Sequence, residues 1–182
     1  NFQGRDWQRW WEPVALDDNV NIAEDEVKTI SLFGYDAFED WVLDGSSTIA
    51  IIQEPLHGTL ATPELSSDSD VDLAEWFASY IPDQDYSGSD EIRFIVENSG
   101  NTSGASEVAI ITISISAIND APVLSSIGSQ EFNEDEGLSI PLGYSDADGD
   151  ELSVSVASSD DNVSLSLDGS TLSLVSASNY NG

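Results

Sequence analysis

The sequence predicts an all-β chain organised as two tandem sandwiches, and three observations carry that expectation. Short apolar runs alternate residue by residue with polar ones, the period of a strand with one buried face. Turn-forming residues punctuate the runs, and none is long or periodic enough for a helix. The pattern also repeats: Pro13-Val14 corresponds to Pro122-Val123 at a distance of 109 residues, and Glu24-Asp25-Glu26 to Glu134-Asp135-Glu136 at 110. A period of that length holds one sandwich.

Composition sets the limits. With 182 residues and 40% apolar content the chain can bury a core or two. Its formal charge of −31, from 35 acidic against 4 basic residues, excludes nucleic acid and anionic lipid as partners and calls for bound cations. No run of 18 apolar residues spans a membrane, and no charged-then-apolar signal opens the chain, which reads as a mature fragment. Cysteine is absent and there is a single histidine, so disulfides are excluded and catalytic triads have little to draw on. His57, in Pro55-Leu56-His57-Gly58, reads as a structural turn residue. Paired carboxylates serve glycosidases, but among so many acids such a pair signals nothing. With no phosphate-cradling glycine loop, zinc spacing or dinucleotide fingerprint, the chain is not expected to be an enzyme.

Residues 1–12 form an aromatic, basic segment that holds Arg5, Arg9, Trp7, Trp10 and Trp11. The three tryptophans fit one face of a helical turn, or Trp10-Trp11 fits an extended strand. They pack back on the first domain, end a preceding one, or dock on another subunit.

Residues 13–118 form the first domain. Its expected strands are Val20 to Ala23, Thr29 to Phe33, Thr48 to Ile52, Trp76 to Ile81, Ile92 to Val96 and Val108 to Ile115. Ile92, Phe94 and Val96 alternate with Glu91, Arg93, Ile95 and Glu97; Ala109, Ile111, Ile113 and Ile115 alternate with Thr112, Ser114 and Ser116. Asp44-Gly45 supplies a tight turn and Asn98 to Gly104 a hairpin loop. About seven strands in roughly 100 residues describe an immunoglobulin-like sandwich. Asp68, Asp70 and Asp72 alternate in an acidic loop that is either a second cation site or a solvated insertion.

Residues 119–182 repeat the first domain incompletely. Asp36-Ala37-Phe38-Glu39-Asp40 lies over Asp146-Ala147-Asp148-Gly149-Asp150, and Asp85-Tyr86-Ser87-Gly88 over Asn179-Tyr180-Asn181-Gly182. The counterpart of Ser89 to Asp120, including the last two strands, is missing. Either the natural chain continues or another chain donates those strands.

Asp146, Asp148 and Asp150 sit at alternate positions and turn toward one point. Oxygen-only ligands on a loop suit Ca²⁺ better than zinc or copper; the bland alternative is a polar turn with a glycine. An EF-hand is excluded, because Ala157 stands where its bidentate Glu belongs.

Four separated motifs, Glu54-Pro55-Leu56-His57-Gly58-Thr59-Leu60, Pro82-Asp83-Gln84-Asp85-Tyr86-Ser87-Gly88-Ser89-Asp90, Asn119-Asp120-Ala121-Pro122-Val123 and Asp146-Ala147-Asp148-Gly149-Asp150, resemble the cadherin-like tandem repeats of very large bacterial surface and secreted adhesins. That resemblance implies Greek-key sandwiches with Ca²⁺ at the junction of the repeats. The ligands it implies are Glu24, Glu26, Asp83, Asp85, Asn119, Asp120, Asp146 and Asp148, with Asp150 completing the acidic loop. The role it implies is an extracellular, calcium-stabilised stalk or fibre module at a bacterial surface or in a matrix, touching neighbouring repeats or copies of itself. Two other roles stand beside it: a filament subunit whose second sandwich a neighbour completes, and a glycan- or protein-binding module using Trp41 or Trp76, residues that in a sandwich are usually core.

Overall fold

The computed structural model describes residues 13–36, 47–67, 73–98 and 104–180. The tryptophan-rich segment, the acidic loop following Asp36, Trp41, Asp44-Gly45, the Asp68, Asp70, Asp72 loop and the hairpin tip at 99–103 lie outside the described residues. The chain divides into two compact units, Asn1–Ile118 and Asn119–Gly182. All regular structure among the described residues is β.

The first unit is a two-sheet sandwich. One sheet runs β1 (Pro13–Ala15), β3 (Lys28–Asp36), β7 (Ala74–Pro82), β5 (Gly58–Leu60), with β6 (Glu64–Leu65) also on β7; the other runs β2 (Asp18–Ala23), β10 (Ala109–Ser116), β8 (Gly88–Asn98), β4 (Ser47–Gln53), with β9 (Gly104–Ala105) on β8. Five of the six expected runs fall within strands, and the sixth, Val108 to Ile115, starts one residue ahead of β10. The short strands β1, β5, β6 and β9 carry too few residues for a periodic signal.

Alternation becomes burial along the long strands. Ile92, Phe94 and Val96 of β8, Ile111 and Ile113 of β10, and Leu32 and Tyr80 of the facing sheet have no accessible surface, and all join one apolar cluster. Burying each large side chain contributes roughly 1.5–3 kcal/mol. Trp76 is buried in the same cluster, so it offers no surface to a glycan. Gly58 is needed where β5 crosses Tyr80, since a Cβ there would lie 2.6 Å from the Ile81 carbonyl oxygen and 2.7 Å from the Tyr80 ring.

The second unit has strands β11 (Val123–Leu124), β12 (Gly137–Pro141), β13 (Tyr144–Ser145), β14 (Val163–Asp168) and β15 (Thr171–Ser176), paired as β11-β13 and β12-β15-β14. These reproduce the first sheet of the first unit: β12 on β15 matches β3 on β7, β14 on β15 matches β5 on β7, and β11 on β13 matches β1 on β3. The turns repeat in detail. Asp25 and Asp135 share φ of 59° and 60°, and Asp85 and Asn179 share 56° and 57°. Glu26 N donates to Ala23 O and Glu136 N to Asn133 O; Tyr86 N donates to Asp83 O and Tyr180 N to Ala177 O. Among the described residues the second unit has no counterpart of the sheet β2-β10-β8-β4.

Candidate functional site

The acidic end of the first unit follows from one unusual pairing. Strands β2 and β10 run parallel, with Ser116 beside Ala23, so the turn after β2 comes to stand at the residues that leave β10. Glu24 N donates to Ser116 O at 3.0 Å, and the Glu24 carboxylate accepts the Ile118 amide. Glu24 is only 4% exposed; an amide donor at that depth offsets part of its desolvation. Asp25 takes the left-handed conformation that Asp tolerates better than most residues. That conformation swings its carboxylate to the β7–β8 turn, where Asp25 Oδ1 accepts the Asp85 amide at 3.3 Å. Carboxylate oxygens of Asp25 and Asp85 come within 4.8 Å of each other.

In this turn Asp83 N donates to His57 O, and Asp83 O accepts from Tyr86 N; the Asp83 side chain is exposed, as is that of Glu26. His57 is held as a structural element. Its ring stacks on Tyr86 with centroids 4.0 Å apart and planes 7° from parallel. Its backbone amide donates to Asp90 Oδ2 at 2.9 Å.

Asp90, 5% exposed, is the polar anchor beneath this turn. It accepts the amides of Leu56, His57 and Glu91 and the Tyr80 hydroxyl, each at 2.9 Å. Burial pushes its pKa up, but those four donors outweigh burial and hold the carboxyl below its usual value. Tyr80 is driven the other way, first by burial and then by its bond to Asp90, so its phenol stays protonated well beyond the ordinary range.

The second unit carries its own acidic group. Asp120 N donates to Asp148 Oδ2 at 2.6 Å, and carboxylate oxygens of the two residues lie within 4.8 Å of each other. Asp146 Oδ1 accepts the Asp150 amide at 3.1 Å, closing the loop on itself with Gly149 at φ 75°. The Asn119 side-chain amide donates to Asp120 O at 2.8 Å. Thus Asp146 is committed to shaping the loop, whereas Asp148 projects to the start of the unit.

Among the described residues each unit therefore brings two carboxylates close together without a cationic side chain between them. Arg93 is engaged by Glu91 at 2.9 Å, and the second unit contains no Lys, Arg or His at all. A hard divalent cation with oxygen ligands fits such pairs, because it replaces like-charge repulsion with attraction.

Against models of known families, residues 12–114 match the bacterial Ig domain. The chain belongs to the bacterial Ig domain family. No curated protein matches it significantly. Among solved structures it is similar to an endo-fucoidan hydrolase of glycoside hydrolase family 107, with 20% identity over 92% of this chain and 24% of that one and a TM-score of 0.41. It is also similar to PbICP-C in its complex with falcipain-2 (12% identity, 57% of this chain and 91% of that one, TM-score 0.37) and to a PapD-like domain of human CEP192 (8%, 65% and 94%, 0.40). The chain spans about a quarter of the hydrolase's length, 24%.

Within the bacterial Ig domain, Glu24, Asp83 and Asp85 stand at one end with Asp25, a residue that the ligand set implied by the resemblance leaves out. The resemblance implies Glu24 and Glu26 as ligands, but the left-handed residue between them, Asp25, is the one whose carboxylate reaches Asp85. The signal available in sequence was the Asp25-Glu26 turn itself, since Asp is among the residues that accept positive φ.

Proposed function

We propose that the chain is a structural spacer from a secreted or surface-attached bacterial protein, in which Ca²⁺ stiffens the run of bacterial Ig modules, and that it has no catalytic role. One observation carries this reading. Each unit, taken by itself, gathers carboxylates at the residues that flank the linker: Glu24 holds the Ile118 amide and Asp148 holds the Asp120 amide. Cations taken up there neutralise charge at the point where the chain passes from one module to the next. Glu24, Asp25, Asp83, Asp85, Asn119, Asp120 and Asp148 are the residues available as ligands, with Glu26 and Asp150 at the margin and Asp146 shaping its loop. Extracellular calcium near millimolar fills even weak sites of this kind. The commitment of His57 to a stack and of Asp90 to four donors supports a structural reading over a catalytic one.

Small-angle scattering tests the proposal. The expected outcome is a longer, narrower distribution of dimensions in millimolar Ca²⁺ than in chelator; identical curves overturn it.

A further inference from the structure

Strand alternation sends one face of the sheet β1-β3-β7 into the core and leaves the other outside. Ala15, Ile30, Leu32 and Trp76 pack inward, so Val14, Leu16, Phe33, Tyr35 and Phe77, at the alternate positions, lie on the outer face. The solvent face of an antiparallel sheet is ordinarily polar. This one is apolar and aromatic: none of the five joins the core cluster, and Phe77 is 37% exposed.

The second unit shows that the fold does not require such a face. Val14 pairs with Tyr35 as Val123 does with Ser145, Leu16 N donates to Phe33 O as Ser125 N does to Gly143 O, and Phe77 pairs with Ser31 as Thr171 does with Pro141. Where the first unit has Leu16, Phe33, Tyr35 and Phe77, the second therefore has Ser125, Gly143, Ser145 and Thr171. Its outer side also carries Ser139 and Ser173, with hydroxyls 3.4 Å apart, opposite a leucine face of Leu138, Leu172 and Leu174. A second feature is likewise particular to the first unit. Counting back from Pro13 and from Pro122, Trp10-Trp11 stand where Asn119-Asp120 stand, and residues 5–11 hold Trp7, Arg5 and Arg9 as well.

We propose that this aromatic outer face is the docking surface for residues 5–11 of the same chain, whose tryptophan rings cover Phe33, Tyr35 and Phe77. Length permits it: residues 7–12 reach about 20 Å when extended, and β7 lies about 10 Å from β1 across the sheet. Charge favours it. Glu75 pairs with Phe33 in the ladder and Glu64 with Phe77, so the face that offers rings to the tryptophans also offers carboxylates to Arg5 and Arg9. A second copy is the weaker occupant, because two chains of net charge −31 repel each other, whereas a segment joined directly to β1 is held at high effective concentration.

The sequence has no cysteine, which allows a footprint with one introduced thiol in the full chain. Ser31→Cys places it on the aromatic face opposite Phe77, and Ser114→Cys places it at an exposed position of β10 on the other sheet. Alkylation at Ser31→Cys is expected to be about tenfold slower than in a chain that also carries Trp7→Ser, Trp10→Ser and Trp11→Ser, while Ser114→Cys reacts equally in both backgrounds. Amide exchange of β8 and β10, unchanged throughout, checks that each variant is folded. A second readout needs no thiol: Phe77→Thr, the residue type of the second unit, should shift tryptophan emission to the red, but not in the chain that already lacks the three tryptophans. Equal alkylation rates in the two backgrounds overturn the proposal, as does a Phe77→Thr shift that persists without those tryptophans. Slowing that disappears on dilution also overturns it, in favour of a second copy, and so does slowing that only Trp41→Ser relieves.

Discussion

The two units are the same sheet built twice, once with a second layer over it and once without. Backbone geometry hardly registers the difference: the ladders, the left-handed Asp25 and Asp135, and the paired turn hydrogen bonds coincide. Burial registers all of it. Among the described residues, Leu142 alone is buried in the second unit, at 8% exposure, against fourteen apolar residues in the cluster of the first. Hydrogen-bonded pairing thus fixes a single sheet, whereas removing side chains from water takes two.

The polar anchors differ in the same way. In the first unit the turn before β5 is capped from a distance, by Asp90 on β8. In the second, the matching turn is capped locally: Asp160 accepts the Asn162 amide at 2.9 Å and the Tyr180 hydroxyl. The Tyr180 bond, with help from Asn162, holds the Asp160 carboxyl below its usual value, and the same bond raises the Tyr180 phenol. A turn that caps itself keeps its shape whether or not a second layer is present.

The largest expected effect compares the two cores. Phe94→Ala, at a fully buried position of β8, should destabilise the first unit by about 3–5 kcal/mol. Leu174→Ala, half-buried on β15, should cost the second unit only about 1 kcal/mol, since little transfer free energy and no closed cavity are involved. Urea titration of the single variants measures both. Equal losses would show that the leucine face is already covered in solution.

Next in size is the distant cap. Asp90→Ala strands the Leu56 and His57 amides and leaves the Tyr80 hydroxyl only its longer bond to His57 O, and should cost about 2–3 kcal/mol. The wild-type anchor also has a pH signature. Because the folded Asp90 pKa is lowered, its contribution is present above the unfolded value near 4 and is lost as pH falls through the folded one. Tyr80 is raised, so its contribution is complete below about pH 10 and is lost only as pH climbs through the higher folded value. Stability measured from pH 2 to 7 should therefore fall on the acid side more steeply in wild type than in Asp90→Asn.

How much of this was legible in sequence depends on what each feature needs. The long strands of the first unit announce themselves because one face is fully buried and alternation is strict. The repeat was legible from Pro13-Val14 and Glu24-Asp25-Glu26, since turns that require particular residues recur with them. The strand-like pattern of Leu152, Val154 and Val156 marks a segment that is extended in type but has no ladder among the described residues, because alternation encodes a face and not a neighbour. At the acidic ends, residue type was readable and direction was not. Asp146 bends back to the Asp150 amide and Asp25 swings to Asp85, and both follow from local backbone conformation that spacing does not reveal.

A smaller effect separates the acidic ends. Asp148→Asn removes one charge of the close pair with Asp120, which should raise the melting temperature slightly in chelator and abolish most of the rise that Ca²⁺ produces in wild type. Differential scanning calorimetry in the two conditions reads both signs. A calcium-dependent rise that survives the substitution would place the relevant cation elsewhere.

The smallest effect is the sharpest comparison, because it uses two residues of one type in one conformation. Asp25 and Asp135 both hold positive φ, so glycine relieves the same backbone strain at each while costing the same entropy in the unfolded chain. Asp135→Gly should then change stability by no more than about 0.5 kcal/mol. Asp25→Gly also loses the bond to the Asp85 amide and should cost about 0.5–1 kcal/mol more, a gap that widens in Ca²⁺ if Asp25 is a ligand. If the gap closes in chelator and stays closed in Ca²⁺, Asp25 is only a turn residue, and the acidic end of the first unit reduces to Glu24, Asp83 and Asp85.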